Sequence, residues 1–118
     1  AFMGFEEAVL FGSGFATISS VIPAFSKQPD YLIVDKACNY AIQTGVNLSR
    51  SEVRWFNHND IKDLERILQS LKDVFLKKQQ KVFVVVEALY GHSGDIAPLK
   101  ELIALKVQRV QSLFNTIN

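Results

Sequence analysis

The segment DYLIVDKACNYAIQTG, residues 30–45, indicates the fold class of the chain. Its apolar run YLIV, at 31–34, is typical of a fully buried parallel strand. A short polar junction follows, and the segment NYAIQTGVNLS at 39–49 has apolar residues at loosely helical spacing. Ligands of open α/β sheets bind outside the carboxyl ends of the strands, so the junction at 36–40 is where a site is expected. The junction nevertheless contains no evident acid, base or metal cluster.

Further units of strand followed by helix flank this stretch. The predicted strands are 8–11 (AVLF), 31–34, 52–56 (EVRWF) and 81–89 (KVFVVVEAL). The predicted helices are 15–27, 39–49, 60–78 and 99–114. Strands that alternate with helices of this length indicate parallel βαβ units. We therefore expect an α/β fold, a three-layer parallel sheet with flanking helices, built as one domain over residues 1–118.

Two of the helices contain residues that disfavour a helix interior. Pro23 should kink or shorten helix 15–27, because proline lacks an N–H and clashes with the preceding turn. Gly45 should weaken the middle of helix 39–49. The apolar residues of that helix lie loosely on one face, at Tyr40, Ile42, Val46 and Leu48.

Length and composition exclude several classes of protein. The chain has 118 residues, enough for one modest core, and its net charge of +1 gives no sign of a nucleic-acid or anionic-membrane partner. One cysteine excludes a disulfide framework, and no apolar run approaches the roughly 18 residues of a membrane helix. The first residues, AFMGFEEAV, lack the basic region of a signal peptide. Because the apolar strands need cover on both faces, we expect another segment or another chain to complete the sheet.

The turn FGSGFATISS, at 11–20, is the first candidate binding site. The backbone N–H groups of Gly14, Phe15 and Ala16 could receive a phosphate at the start of the following helix. The pattern matches neither a Walker A loop nor GxGxxG. The alternative is a tight turn that needs glycine for its backbone conformation alone.

Cys38 and two acidic residues form a second group of candidates. A nucleophilic Cys38 would need a base and an environment that favours the thiolate, whereas a lone cysteine after a buried strand is more often a small buried apolar residue.

Glu87 ends the strongest strand and Asp95 lies in the loop after it. Each could anchor that loop or act as an acid in catalysis.

The two histidines both lie in loops at strand ends, where they could face the same rim. We expect His58 to serve the turn before helix 60–78, with Asn59 or Asp60 as the N-cap. His92 is the better candidate for a site, although a loop histidine is more often simply solvated. Two histidines and one cysteine at unrelated spacings do not indicate a zinc site.

Three motifs resemble the α-oxoamine synthases, a family of fold-type I, pyridoxal-phosphate-dependent acyltransferases. They are SGFA at 13–16, HND at 58–60 and VEALYGHSGDIAPL at 86–99, in the order and spacing of that family. The resemblance covers about residues 1–106 and implies part of the large domain, truncated or divergent after about 106. In that family the backbone at Gly14 and Phe15 would hold the cofactor phosphate.

The junction after the first buried strand departs from the catalytic members of the family. Their loop reads D-E-x-N-H-A-S, and its histidine stacks on the pyridine ring of the cofactor. The matching position is Asn39, whose amide cannot stack or transfer a proton as an imidazole does. The serine of catalytic members after E-G-x-[YF] is Gly91, and no lysine lies where the Schiff base forms. The resemblance therefore implies that pyridoxal 5'-phosphate is held by a partner, and that any contact from Asn39 is vestigial or made in trans.

The resemblance is strongest to a non-catalytic, regulatory or scaffolding subunit. It implies a heterodimer with a homologous catalytic subunit that condenses L-serine with palmitoyl-CoA to 3-ketosphinganine in sphingolipid synthesis. Cys38, Tyr40 and His92 would lie at the interface near the shared active site. The complex would lie at the cytosolic face of the endoplasmic reticulum membrane, anchored by a segment outside this chain. Alternatives are a fragment of a catalytic α-oxoamine synthase and an independent phosphate-binding or interaction module.

Overall fold

The computed structural model of the chain describes residues 2–76 and 80–117. Its three strands form one parallel sheet in the order β2-β1-β3. In chain order the elements are α1 (Gly14–Phe25), β1 (Tyr31–Asp35), α2 (Tyr40–Ser49), β2 (Glu52–Phe56), α3 (Ile61–Ser70), α4 (Lys72–Leu76), β3 (Val82–Val85) and α5 (Leu99–Ile117). The described helices include none that is long and apolar enough to cross a membrane. The predicted α/β fold is confirmed.

Strand β1 is the centre of both apolar layers. Its residues Leu32 and Val34 face the layer that contains α1 and α2, while Ile33 faces α3 and α5. All three are at most 1% exposed. Successive side chains of a strand point to opposite faces, so an unbroken apolar run is what a strand covered on both sides requires. The run YLIV therefore fixes the three-layer arrangement.

The predicted strand at 8–11 is wrong. Residues 7–11 have no regular secondary structure and are exposed. A strand needs a neighbour for its backbone N–H and C=O groups, and no described strand lies beside this segment. Its apolar residues therefore remain exposed, with Leu10 98% accessible.

Gly45 allows α1 and α2 to pack closely. The expectation that it only weakens the middle of the helix therefore misses its role in packing. A Cβ atom at this position would lie 3.1 Å from Ile22 Cδ1 and 3.2 Å from the Ile18 carbonyl oxygen. The face of α2 that packs inward is consequently Ala41, Ile42, Gly45, Val46 and Ser49. The expectation that Tyr40 and Leu48 share that face is wrong, because both are mostly exposed.

Two predicted helices are shorter than their apolar patterns. Helix α1 contains Pro23 and ends at Phe25, two residues earlier than predicted. The pattern at 60–78 is divided at Leu71, whose N–H is shared between the carbonyls of Ile67 and Leu68. Leu71 is buried, so this turn keeps the apolar side chain in the core while α4 takes a new direction. Residues 77 and 78 of the predicted helix lie outside the described part of the chain.

Strand β3 forms an edge of the described sheet. It pairs with β1 on one side, and Val84 is 40% exposed. An apolar groove runs beside it, lined on its walls by Leu64, Leu68, Leu102 and Ile103. This agrees with the expectation that the sheet needs further cover.

Candidate functional site

The candidate site lies at the carboxyl ends of β1 and β3. The chain moves from β1 to β2 on one side and then to β3 on the other, so a crevice opens between the loops that follow β1 and β3. Two contacts join these loops. The Asn39 N–H donates to Glu87 Oε1, and Cys38 Sγ lies 3.8 Å from the Val85 carbonyl oxygen. Glu87 is thus an anchor of the loop, one of the two roles expected for it.

Asn39 is the N-cap of α2. Its side-chain oxygen accepts a hydrogen bond from the Ile42 N–H at 3.1 Å, and its backbone is extended. The Gln43 side chain donates to the Cys38 carbonyl and fixes the same turn. An asparagine oxygen satisfies one of the four free N–H groups of a helix start, which gives this residue a structural task.

Cys38 is buried, as the interpretation of a small apolar residue predicted. Cys38 is 3% exposed and packs with Leu32, Val34 and Ile42. Burial, followed by the nearby charges of Asp35 and Glu87, raises the pKa of the thiol to about 12. The thiolate that a nucleophile requires is therefore strongly disfavoured at neutral pH.

The start of α1 lies beside the start of α2. Ser13 is the N-cap of α1 and accepts a hydrogen bond from the Ala16 N–H at 3.1 Å. Of the three amides proposed to receive a phosphate, those of Gly14 and Phe15 have no acceptor within the described residues. The Phe15 ring lies against Tyr40, with ring centroids 5.9 Å apart. The two helix starts thus share one exposed surface, which we call the Phe15–Tyr40 surface.

His58 connects two carboxylates that lie far apart in the sequence. Its Nδ1 atom is 3.0 Å from Asp35 Oδ1, and its Nε2 atom is 2.8 Å from Asp95 Oδ2. Asp35 is completely buried, whereas the Asp95 side chain is 51% exposed. The expectation that His58 serves only the turn before α3 is therefore incomplete. Asp60, one of the two residues predicted for this position, is the N-cap of α3 and accepts from the Asp63 N–H.

The neighbouring turn strengthens this connection. The Asn59 N–H donates to Asp35 Oδ2 at 3.0 Å, and its side-chain amide donates to the Ile96 carbonyl at 3.2 Å. Asn59 has a φ of 52°, a left-handed conformation that asparagine tolerates better than most residues. The motif HND thus fastens the loop after β3 to the end of β1.

The hydrogen bonds of this cluster shift the pKa of each charged member. Burial opposes the ionisation of Asp35, but the N–H groups of Asn59 and Ala37 and the neighbouring Tyr90 and His58 side chains outweigh it and lower its pKa. The pKa of His58 is raised, chiefly by the hydrogen bond to Asp95; desolvation opposes this shift, and the hydrogen bond and charge of Asp35 add to it. The same bond lowers the pKa of Asp95.

Tyr90 closes the cluster from the side of the loop. Its ring meets the His58 ring edge to face, with centroids 4.5 Å apart, and the residue is 1% exposed. Burial and the nearby Asp35 carboxylate raise the pKa of its hydroxyl. The contact with Asp35 falls short of hydrogen-bond geometry, so this hydroxyl has no partner among the described residues.

His92 is predicted, with Cys38 and Tyr40, to lie at an interface near a shared active site. It is exposed on the loop after β3, and no bond or ring contact in the described part of the chain joins it to Cys38, Asn39 or Tyr40. The sequence placed His58 and Asp95 separately but did not reveal that they meet. The available signal was that all the residues involved follow the carboxyl ends of parallel strands, which meet at one edge of a sheet.

Comparison with known proteins shows the family of this chain. The family model for aminotransferase class I and II matches residues 1–114. The chain belongs to the aminotransferase class I and II family. Its fold is that of a fragment of a fold-type I member, which agrees with the parallel sheet and its flanking helices.

Similar members of the aminotransferase class I and II family include serine palmitoyltransferase 1 of Dictyostelium discoideum, which is 48% identical over 111 residues. The yeast protein of the same name is 40% identical over 111 residues. These matches cover 92% and 89% of this chain but 23% and 20% of the relatives. The chain therefore spans about a fifth to a quarter of the curated relatives that it matches.

Solved structures show the same likeness. A serine palmitoyltransferase from S. paucimobilis, with a bound PLP–myriocin aldimine, superposes with a TM-score of 0.80 at 30% identity, covering 92% of this chain and 26% of the other. The 8-amino-7-oxononanoate synthase of Francisella tularensis gives a TM-score of 0.63 at 25% identity, with 88% and 28% coverage. The family thus includes members that bind pyridoxal 5'-phosphate.

Proposed function

We propose that this chain is part of a non-catalytic, scaffolding subunit of serine palmitoyltransferase. The complex would condense L-serine with palmitoyl-CoA to 3-ketosphinganine in sphingolipid synthesis. The proposal depends chiefly on Asn39. This residue stands where catalytic relatives have the ring-stacking histidine, and its side-chain oxygen caps α2 by accepting the Ile42 N–H. The likeness to proteins named serine palmitoyltransferase 1 supports the same assignment.

The described residues fit one end of pyridoxal phosphate and not the other. The Gly14 and Phe15 N–H groups, at the positive end of α1, could receive the phosphate. At the ring end, the Asn39 carboxamide is smaller than an imidazole, and its oxygen already accepts the Ile42 N–H. The set is therefore incomplete as a cofactor site. We infer that the homologous catalytic subunit holds the cofactor and supplies the Schiff-base lysine.

The Phe15–Tyr40 surface is the proposed contact with that subunit. Phe15 is 47% exposed and Tyr40 72% exposed, next to the crevice between β1 and β3. Cys38 is buried against Ile42 of α2, and His92 is exposed in the loop after β3. Apolar rings gathered on an exposed surface are typical of the centre of a protein interface. The complex would act at the cytosolic face of the endoplasmic reticulum membrane.

The test is co-expression of the tagged chain with a homologous catalytic subunit, followed by purification in detergent. We expect the two chains to copurify, with pyridoxal phosphate bound to the catalytic subunit. Tyr40→Asp should weaken copurification, because it places a charge in the buried centre of the interface. Leu48→Asp is the matched control: Leu48 is 60% exposed and lies near the opposite end of the same helix from Tyr40, so this variant should still copurify.

Separate results would favour each alternative. Stoichiometric binding of pyridoxal phosphate by the isolated chain would support a fragment of a catalytic synthase and refute the assignment of the cofactor to the partner. A folded chain that binds inorganic phosphate and captures no homologous subunit would support an independent module. Equal copurification of the Tyr40 and Leu48 variants would refute the proposed interface.

A further inference from the structure

The connection between Asp35, His58 and Asp95, which we call the carboxylate clamp, requires a proton on both ring nitrogens. Each nitrogen lies within 3.1 Å of a carboxylate oxygen. An ionised carboxylate only accepts hydrogen bonds, and a neutral imidazole donates from one nitrogen alone. Both contacts are therefore hydrogen bonds only while His58 is an imidazolium. This conclusion rests on the geometry of the three side chains.

The two carboxylates differ in what they lose when His58 releases a proton. Asp35 is fully buried and accepts from the N–H groups of Ala37 and Asn59 as well as from His58. The remaining imidazole proton should stay at Nδ1, because the buried charge of Asp35 has no solvent to replace that bond. Nε2 then presents a lone pair to the Asp95 carboxylate. Since the Asp95 side chain is half exposed, it can turn toward water.

Other charged groups near the clamp already have partners. On the side of β1, the Lys36 ammonium donates to Asn57 Oδ1. On the side of α3, the Asp63 carboxylate accepts from the Asn57 N–H and from Arg66. On the loop, Tyr90 has only its phenol, which remains protonated at neutral pH because its pKa is raised. His58 is therefore the group in the described cluster whose charge changes near neutral pH.

The loop after β3 has one region that depends on the clamp. Its base is fixed independently, because the Ala97 N–H donates to the Ala88 carbonyl and Asn59 donates to the Ile96 carbonyl. At its tip, the Gly94 N–H donates to the Tyr90 carbonyl and the Tyr90 N–H to the Asp95 carbonyl. Movement of Asp95 would therefore loosen the tip, residues 91–95, while the base stays in place.

We propose that His58 is a proton-operated clamp, which holds the tip of the loop at 91–95 against the sheet when protonated and releases it at Asp95 when neutral. The inference goes beyond the proposed function and does not depend on it. The tip borders the crevice between β1 and β3, so its release would open one wall of that crevice. Because the pKa of His58 is raised above its usual value of 6.5, the clamp is closed at mildly acidic pH and opens as pH rises through that higher value.

The test combines an NMR titration of the His58 ring with amide hydrogen exchange of the full chain between acidic and alkaline pH. In the wild type, protection of the Gly94 amide should fall several-fold as His58 loses its proton, after correction for the intrinsic pH dependence of exchange. The Ala97 amide, at the base of the loop, should keep its protection. Asp95→Asn removes the charge and leaves an amide that can donate to a neutral imidazole.

The variants distinguish a proton-operated clamp from a fixed structural contact. Asp95→Asn should lower the pKa of His58 and remove the pH dependence at Gly94. His92→Gln is the control, because it removes the other histidine from the same loop and should leave both measurements unchanged. The proposal is overturned if His58 titrates equally in the wild type and the Asp95 variant. It is also overturned if Gly94 shows the same protection on both sides of that titration.

Discussion

Replacing Gly45 tests whether the close approach of α1 and α2 holds the first helix in place. The substitution Gly45→Ala adds one Cβ atom, 3.1 Å from Ile22 Cδ1 and 3.2 Å from both the Ile18 carbonyl oxygen and Ile22 Cβ. Contacts of carbon atoms are normally about 3.5–4.0 Å, so α1 must move or Ile22 must change its conformation. Alanine in an open helix would have the opposite effect, since it is about 1 kcal/mol better than glycine.

The cost of overpacking exceeds the gain in helix propensity, so the net effect of the substitution is destabilising. Overpacking of a close contact costs about 1–3 kcal/mol. After the gain of about 1 kcal/mol in helix propensity, we expect Gly45→Ala to lower the free energy of unfolding by about 1 kcal/mol. Gly45→Leu should lower it further, because a larger side chain cannot fit between the helices. The contact between Phe15 and Tyr40 should weaken in parallel, since α1 carries Phe15.

Urea denaturation followed by circular dichroism measures this difference. Asn47→Ala is the matched control, because Asn47 lies on the exposed side of the same helix and alanine should stabilise it by a few tenths of a kcal/mol. Gly91→Ala provides a second control, as a Cβ atom there meets nothing within 4 Å. If Gly45→Ala stabilises the protein as much as Asn47→Ala does, the close approach of the helices is not the reason that position 45 is a glycine.

Three further predictions concern the site. Asp35→Asn should lower the free energy of unfolding by about 3 kcal/mol, because it disrupts a buried ion pair. The stability that Asp35 contributes is present above its ordinary pKa of 3.8 and is lost as pH falls through the lower folded pKa. In that pH range, the urea midpoint of the wild type should therefore decline more steeply than that of the variant. Cys38 should react with a thiol reagent at pH 8 only as fast as the chain unfolds, and labelling faster than unfolding would contradict its burial. Cys38→Trp should overpack the junction and reduce the activity of the assembled complex, whereas unchanged activity in an assembled complex would refute that role.

Local sequence patterns predicted the α/β layers and most of the helices and strands. The apolar run at 31–34 required a strand covered on both faces, and Asp60 before an apolar periodic segment marked the start of α3. The motifs at 13–16, 58–60 and 86–99 pointed to fold-type I, pyridoxal-phosphate-dependent transferases, and the match to the aminotransferase class I and II family agrees with that prediction. These features depend on neighbouring residues in the chain, where backbone geometry and side-chain periodicity act directly.

Tertiary structure decided the features that depend on distant partners. The segment at 8–11 has the composition of a strand, but a strand forms only beside a neighbour that accepts its hydrogen bonds. Gly45 looked like a weak point until Ile18 and Ile22 were found against it. The carboxylate clamp joins Asp35, His58 and Asp95 from three separate segments, because parallel strands bring their carboxyl ends to one edge. A local sequence pattern cannot reveal this contact, because the distances among the three side chains depend on the register of the whole sheet.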